Sequence, residues 1–196
     1  MRMKRLPKDF YEQPTLELAR SLLGHYLVHQ HPTGEIIAKI VETEAYLGAI
    51  DRAAHSFGGR RTNRTEVMFG LPGHVYTYQM HTHTLLNVVS GPVGTPEAVL
   101  IRAVEPIQGQ ALIDQHRPGL KPVDQTNGPG KLTKALGITM DLYGHSLQHE
   151  PLFIVEGEAV TDVEAGPRVG IPNTGEARDY PYRFFERTNP YVSKYR

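Results

Sequence analysis

At 196 residues, with 39% hydrophobic side chains, the chain is long enough for one domain with a real core, and it reads as a single domain over 1–196. Lys plus Arg number 21 and Asp plus Glu number 21, so no global field draws the chain to nucleic acid or to an anionic membrane, and a polyanionic partner must be held by a local patch. The absence of cysteine excludes disulfides, thiolate nucleophiles and cysteine metal sites, and it fits a reducing, cytoplasmic setting.

The opening residues, MRMKRLPKDFYEQ, are basic, but Pro7, Lys8 and Asp9 stand where the apolar part of a signal peptide would follow, so secretion is not expected. Thr15 is expected to cap a short helix through LELARSLL, ended by Gly24, with HYLVHQ as the next strand. A turn at HPTG (31 to 34) leads into the long strand EIIAKIVETEAY. VYTYQM (75 to 80) and LLNVV (85 to 89), separated only by HTHT, predict a tight hairpin. AVLIRAVEP (98 to 106) predicts another strand, followed by a helix from about Pro106 to His116. HRPGLKPVDQTNGPG is loop by composition, and KLTKALGI after it is a short helix whose start offers backbone N–H groups. PLFIVEG and PYRFFER are late strands. Strands that follow one another without intervening helices argue for an antiparallel or mixed α+β sheet. The most apolar runs, AVLI and LLNVV, are too short to span a bilayer, and no membrane association is expected.

The chemistry concentrates in VETEAYLGAIDRAAH (41 to 55). If residues 40 to 46 form a regular strand, Ile40, Glu42, Glu44 and Tyr46 share one face. The two carboxylates then lie roughly 6.5 to 7 Å apart along the strand, close to the separation used by the acid and base of an inverting glycosidase. The same pattern also suits two solvated glutamates at a strand edge. Tyr46, His55, Tyr76 and Tyr78 supply flat rings of the kind a planar heterocycle needs. SFGGRRTNR (56 to 64) sets Arg60, Arg61 and Arg64 in a glycine-containing loop suited to phosphates, or to plain exposure. His81 and His83 form an HxH pair that on one strand would face one way, as metal ligands require, and His74 and His55 could add nitrogen.

VETEAYLG, AAHSFGGRRTNR, MFGLPGHVYTY, AVLIRAVEP, NGPGKLTKALGI and RVGIPNTGEARDYPYRFF, in this order, resemble the methylpurine (alkyladenine) type of DNA-3-methyladenine glycosylase. LPKDFYEQPTLELARSLLG resembles that family's opening, so the resemblance runs from about Leu6 to Tyr191. With the element order, it implies an α+β fold: a single domain with a curved, mainly antiparallel sheet, peripheral short helices and a protruding β-hairpin.

The activity it implies is base-excision repair. A monofunctional hydrolase would cleave the N-glycosidic bond of alkylated purines, 3-methyladenine foremost, after the damaged nucleotide is flipped out of duplex DNA. The water-activating glutamate of the family matches Glu44, whose ionised carboxylate would also stabilise the positive charge growing on the sugar. Glu42 matches too, as a structural residue. Arg102 matches an arginine that helps hold the catalytic water. Tyr46 and His55 match rings that stack on one side of the flipped base and Tyr78 a ring on the other. Asn87 matches an asparagine that guards against the guanine amino group, across a hairpin one residue shorter here. The family's hairpin tip carries an aromatic wedge, whereas this chain reads MHTHTLLN, which makes His81 the wedge candidate and Met80 the next. Arg60, Arg61, Arg64 and Lys131 are the expected DNA contacts, with Lys134 beside Lys131. The glutamates are explained without a metal, so no metal or cofactor is expected. The implied partner is double-stranded DNA containing damaged purines, met by a monomer in the cytoplasm, or in the nucleoid if the source is bacterial.

Overall fold

A computed structural model describes residues 3–194. The first helix, α1 (Thr15–Ser21), buries Leu18 and Ala19 beneath the sheet together with Leu22 and Leu23 just beyond it. Pro14, not Thr15, occupies the capping position. The Thr15 hydroxyl instead turns inward to the buried Ser90 (2.9 Å) and to the half-buried Glu97 carboxylate, partners that outweigh a cap because one is shielded from water and the other is charged.

The strands are β1 (Tyr26–His31), β2 (Gly34–Tyr46), β3 (Val75–Met80), β4 (His83–Ser90) and β5 (Glu97–Gln108), and they are followed by helices α2 (Gln110–His116), α3 (Pro122–Thr126) and α4 (Pro129–Leu136). Strands β6 (Leu152–Val155), β7 (Val163–Gly166) and β8 (Arg183–Glu186) complete one sheet. Its order is β3-β4-β5-β2-β1-β6, with β8 on β2 and β7 on β8, and every pairing is antiparallel. The α+β expectation with a mainly antiparallel sheet and short helices therefore holds. Three regions differ. β5 runs through Pro106 to Gln108, because the residue before a proline favours extended backbone, and the helix starts only after Gly109 at φ 89°. Within the supposed loop, Pro122 and Pro129 each open a helix, the N-terminal use of proline. β7 was not foreseen.

β2 is the axis. β1 pairs with its first half and β8 with its second along one edge, while β5 runs along the other. The alternation expected over residues 40 to 46 is broken midway. Ile40 pairs with Val104, Glu42 with Ala103 and Thr43 with Ile101, which leaves Val41 and Arg102 as extra, unpaired residues on opposing strands. Before this double bulge Ile36, Ala38 and Ile40 face the main core. After it Ala45 does, so Glu44 and Tyr46 turn to the opposite face. The main core gathers α1, α4 and the inner residues Val88, Val99 and Ile101, whereas Met68, Tyr76, Tyr78, Leu85, Val89, Ala98 and Leu100 form a second apolar cluster against Tyr46.

Candidate active site

That second cluster walls a cavity of about 260 Å³. Cross-strand neighbours share a face, so the register places Glu44 beside Leu100, Leu100 beside Asn87 and Asn87 beside Tyr76, one row across four strands. Tyr78 pairs with Leu85 in the next row, towards the hairpin tip. Of the residues expected in a site, Tyr46, His55, Tyr78, Met80, Asn87 and Arg102 line this cavity.

Glu44 and Glu42 are both fully buried, so neither is a solvated strand edge. Glu44 does not itself line the cavity, but three groups that do hold its carboxylate. The Tyr46 hydroxyl donates to Oε2 (2.7 Å), the Val169 N–H donates to Oε1 (2.7 Å), and Arg102 Nη1 lies 3.4 Å from Oε1. Three donors, one of them cationic, meet the buried carboxylate. Oε2 has a single donor, which leaves it an acceptor position for a proton-bearing group from the cavity. Glu42 lies deeper. Its Oε1 accepts from Arg102 Nε (3.0 Å) and the Ser193 hydroxyl (2.7 Å), and its Oε2 from the Ser193 N–H (2.7 Å). One guanidinium therefore bridges both carboxylates, an arrangement the bulge at Arg102 makes possible. Burial works against the charge on Arg102, but Glu44 and Glu42 outweigh it and hold the group more firmly cationic than usual.

Tyr46 is stiffened from behind. The buried Arg168 guanidinium lies 4.7 Å from its ring centroid and 5.2 Å from that of Tyr182, and it donates to both oxygens of Asp51 and to the Ala45 and Ala177 carbonyls. Asp51 in turn accepts from the Leu47 and Ala53 N–H groups, so the turn bearing Ala53 and His55 is tied to the loop bearing Val169. Burial, then the Glu44 charge, raises the Tyr46 hydroxyl well above its ordinary range, so it stays a proton donor.

The other rings stand together. His55 meets Tyr78 edge-on at 4.5 Å and shares a 2.9 Å hydrogen bond, through Nδ1, with the Tyr76 hydroxyl. Tyr76 and Tyr78 lie 5.5 Å apart. His55 thus packs edge-on against Tyr78, and both line the cavity with Tyr46. Burial, then repulsion from Arg64 and Arg60, depresses His55 to about 4, so its imidazole is neutral at pH 7. Burial, then Glu44, pushes Tyr78 up to about 12. Asn87 is oriented by donating to the Tyr76 carbonyl (3.1 Å).

The rim is exposed. Met80 is 45% accessible and reaches the cavity mouth, whereas His81 sits at the hairpin tip with φ 55°. The turn places His81 and His83 on no common strand, which removes the alternation that an HxH ligand pair needs. Among the described residues, no group of three or more His, Cys, Asp or Glu is arranged to hold a metal ion. α4 braces the hairpin: Thr133 donates to the Thr84 carbonyl (2.6 Å), and a Cβ at Gly130 would come within 2.7 Å of His83. Lys131 is exposed near the mouth and donates to Asn127 (2.7 Å). In the arginine loop, Arg61 is clamped by Glu66 (2.9 and 2.6 Å), while Arg60 and Arg64 are near enough to act electrostatically on His55.

Sequence reasoning gave no role to the residues from 168 to 171, although RVGIP contributes Arg168 and the lining residues Val169, Gly170 and Ile171. The signal was faint: one arginine in a stretch punctuated by glycine and proline. Ser193 carried none.

The family model described as methylpurine-DNA glycosylase matches residues 9–190. A Bacillus licheniformis protein named "Putative 3-methyladenine DNA glycosylase" is 60% identical over 189 residues, 96% of each chain. A Bacillus subtilis protein of that name is 58% identical over 189 residues, again 96% of each. One from Listeria monocytogenes is 50% identical over 188 residues, covering 95% of this chain and 91% of its own.

Proposed function

The chain belongs to the methylpurine-DNA glycosylase family, and from that premise we propose that the ring-walled cavity receives an alkylated purine, 3-methyladenine foremost, and that Glu44 drives hydrolysis of its N-glycosidic bond. The observation that carries this reading is the carboxylate of Glu44, buried yet held by three groups of the cavity wall. A water lodged between Arg102 and Glu44 Oε2 gives a proton to the carboxylate while its oxygen adds to the sugar C1′. The C1′–N bond breaks, and its electron pair leaves with the base. A base alkylated on nitrogen already carries positive charge, departs neutral and needs no general acid. The negative charge of Glu44 stabilises the cationic sugar in between.

A cavity of about 260 Å³ suits one base rather than a duplex, so the nucleotide must leave the stack to reach it. We place the base between Tyr46 on one wall and Tyr78 on the other, with neutral His55 at the margin as a hydrogen-bonding edge and Asn87 against the exocyclic position. The hairpin tip, through His81 or Met80, fills the vacated place, and Arg60, Arg64 and Lys131 meet phosphates. Tyr46, Tyr78, Met80 and Asn87 come from one sheet, and His55, Arg60, Arg64, His81 and Lys131 from the loops and the helix beside it; we place this one glycosylase domain, as a monomer, on duplex DNA in the cytoplasm or nucleoid. None of the described helices is long and apolar enough to cross a membrane.

The test is single-turnover base release from methylated duplex DNA by the native protein and by Glu44→Gln. The glutamine variant should lose release while keeping lesion binding. Release at the native rate would remove Glu44 from the mechanism.

A further inference from the structure

The rear of the carboxylate pair is closed by a segment that follows β8. Asn189 anchors it: its side-chain amide donates to Glu105 and Glu186 (both 2.9 Å), and its carbonyl groups accept the N–H of Tyr191 (2.9 Å) and of Val192 (3.2 Å). Lys39 holds the same Glu105 and Glu186 at 3.0 Å each, so the anchor sits on the sheet itself. The turn delivers Ser193 to Glu42, where its N–H and hydroxyl each engage one carboxylate oxygen at 2.7 Å. Arg102 Nη2 lies 3.5 Å from the same hydroxyl. Ser193 stands three residues past the stretch matched by the family model.

We infer that Ser193 is a positioning residue for glycosidic hydrolysis, acting through Glu42 and Arg102 on Glu44. The inference rests on the reading of Glu44 as the base. Arg102 is shared between two carboxylates that no solvent reaches, by Nε with Glu42 at 3.0 Å and by Nη1 with Glu44 at 3.4 Å. How the guanidinium divides itself depends on how much of the Glu42 charge is met elsewhere. Arg183, 3.8 Å from Glu42 Oε1, meets part of that charge, and the two Ser193 donors, at 2.7 Å, add short hydrogen bonds to both carboxylate oxygens. Without the hydroxyl, Glu42 draws the guanidinium more strongly. Nη1 then withdraws from Glu44 and from the cavity wall, where it would steady the attacking water. The geometry at the reacting centre changes while the apolar walls that grip the base do not.

The experiment compares Ser193→Ala, Ser193→Thr, Glu42→Gln, the Ser193→Ala/Glu42→Gln double variant and Glu44→Gln. Three readouts are taken: single-turnover release from methylated duplex, affinity for a duplex bearing a cleavage-resistant 2′-fluoro lesion, and melting temperature. Losing one hydrogen bond to a charged group, transmitted through Arg102, should slow release by Ser193→Ala about tenfold, with affinity and melting little changed. Threonine keeps the hydroxyl and should restore the rate. If Ser193 works through Glu42, the double variant should be no slower than Glu42→Gln alone, the non-additivity expected of groups acting as one unit. Native-rate release by Ser193→Ala beside an inactive Glu44→Gln would overturn the inference and leave the base assignment standing. So would a rate loss that merely follows affinity or melting, or full additivity with Glu42→Gln. Native-rate release by Glu44→Gln would overturn the base assignment itself.

Discussion

The interior end of the cavity and its exposed rim are built on opposite principles. At the interior end, Glu42, Glu44 and Arg102 lie in the sheet with almost no solvent contact, and each polar atom that matters has a partner at a short distance. At the rim, Met80, His81, Arg60, Arg64 and Lys131 are exposed to solvent. The difference teaches that the two halves of the task need different surroundings. Charge stabilisation gains from fixed donors in a dry place, whereas phosphate-binding groups and a wedge must meet a partner that arrives from solvent and is screened by salt. Damage to the interior should therefore appear in rate, and damage to the rim in affinity.

The largest expected effect is Glu44→Gln, which should cut single-turnover release by about 10²- to 10⁴-fold, the range for losing a general base, with lesion affinity kept. Glu42→Gln should retain more activity than Glu44→Gln, because Glu42 reaches the cavity only through Arg102. Equal losses at both, with melting unchanged, would restore a paired-carboxylate mechanism. Next come the walls. Tyr46→Ala and Tyr78→Ala should each weaken binding of a lesion duplex by about 1 to 3 kcal/mol, as measured by titration, since each removes a stacking surface. Unchanged affinity in both would place the base elsewhere.

Moving to the rim, Arg60→Ala/Arg64→Ala should lower affinity for damaged and undamaged duplexes alike and flatten the dependence of log K on log salt by about 0.9 for each phosphate that is no longer neutralised. Arg61→Ala should do less, because Glu66 already neutralises Arg61 in a two-point clamp. A larger effect from Arg61 would sink this division of the loop.

His55 lies between the two regimes, and pH separates them. Burial depresses its folded value to about 4 from an ordinary 6.5, so the folded state favours the neutral ring. The unfolded chain therefore binds the extra proton first, and stability present above about pH 6.5 should decline as pH falls towards 4. His55→Gln should flatten that decline in acid unfolding curves, and an NMR titration of the native ring should have its midpoint near 4. A midpoint at the ordinary value would mean that the ring is solvated. The smallest effect is expected at the tip: His81→Tyr should tighten duplex lesion binding a few-fold and His81→Ala loosen it, with the single-turnover rate unmoved, because a wedge adds stacking area and no chemistry. A tyrosine variant that binds no better than alanine would shift the wedge to Met80.

Much of this molecule was legible in its residues. Composition and the succession of short apolar runs gave the α+β class, the hairpin and most strands, because period and turn chemistry are local properties. The blocks around Glu44, His55, Tyr78 and Arg102 pointed to residues that the fold then gathers around one cavity. The sequence could not reveal that Ile40 and Glu44 face opposite ways, since a regular strand and a bulged one read alike, and the extra residues Val41 and Arg102 become extra only when two strands are aligned. Nor could it place Val169 against Glu44, 125 residues away, or Ser193 against Glu42, 151 away. Those pairings are fixed by where β8 and the loops around it lie beside β2, and such placement depends on the packing of the whole sheet. Local sequence thus set which chemical groups were available, and tertiary structure alone decided which carboxylate is held by groups of the cavity wall and which holds the arginine behind it.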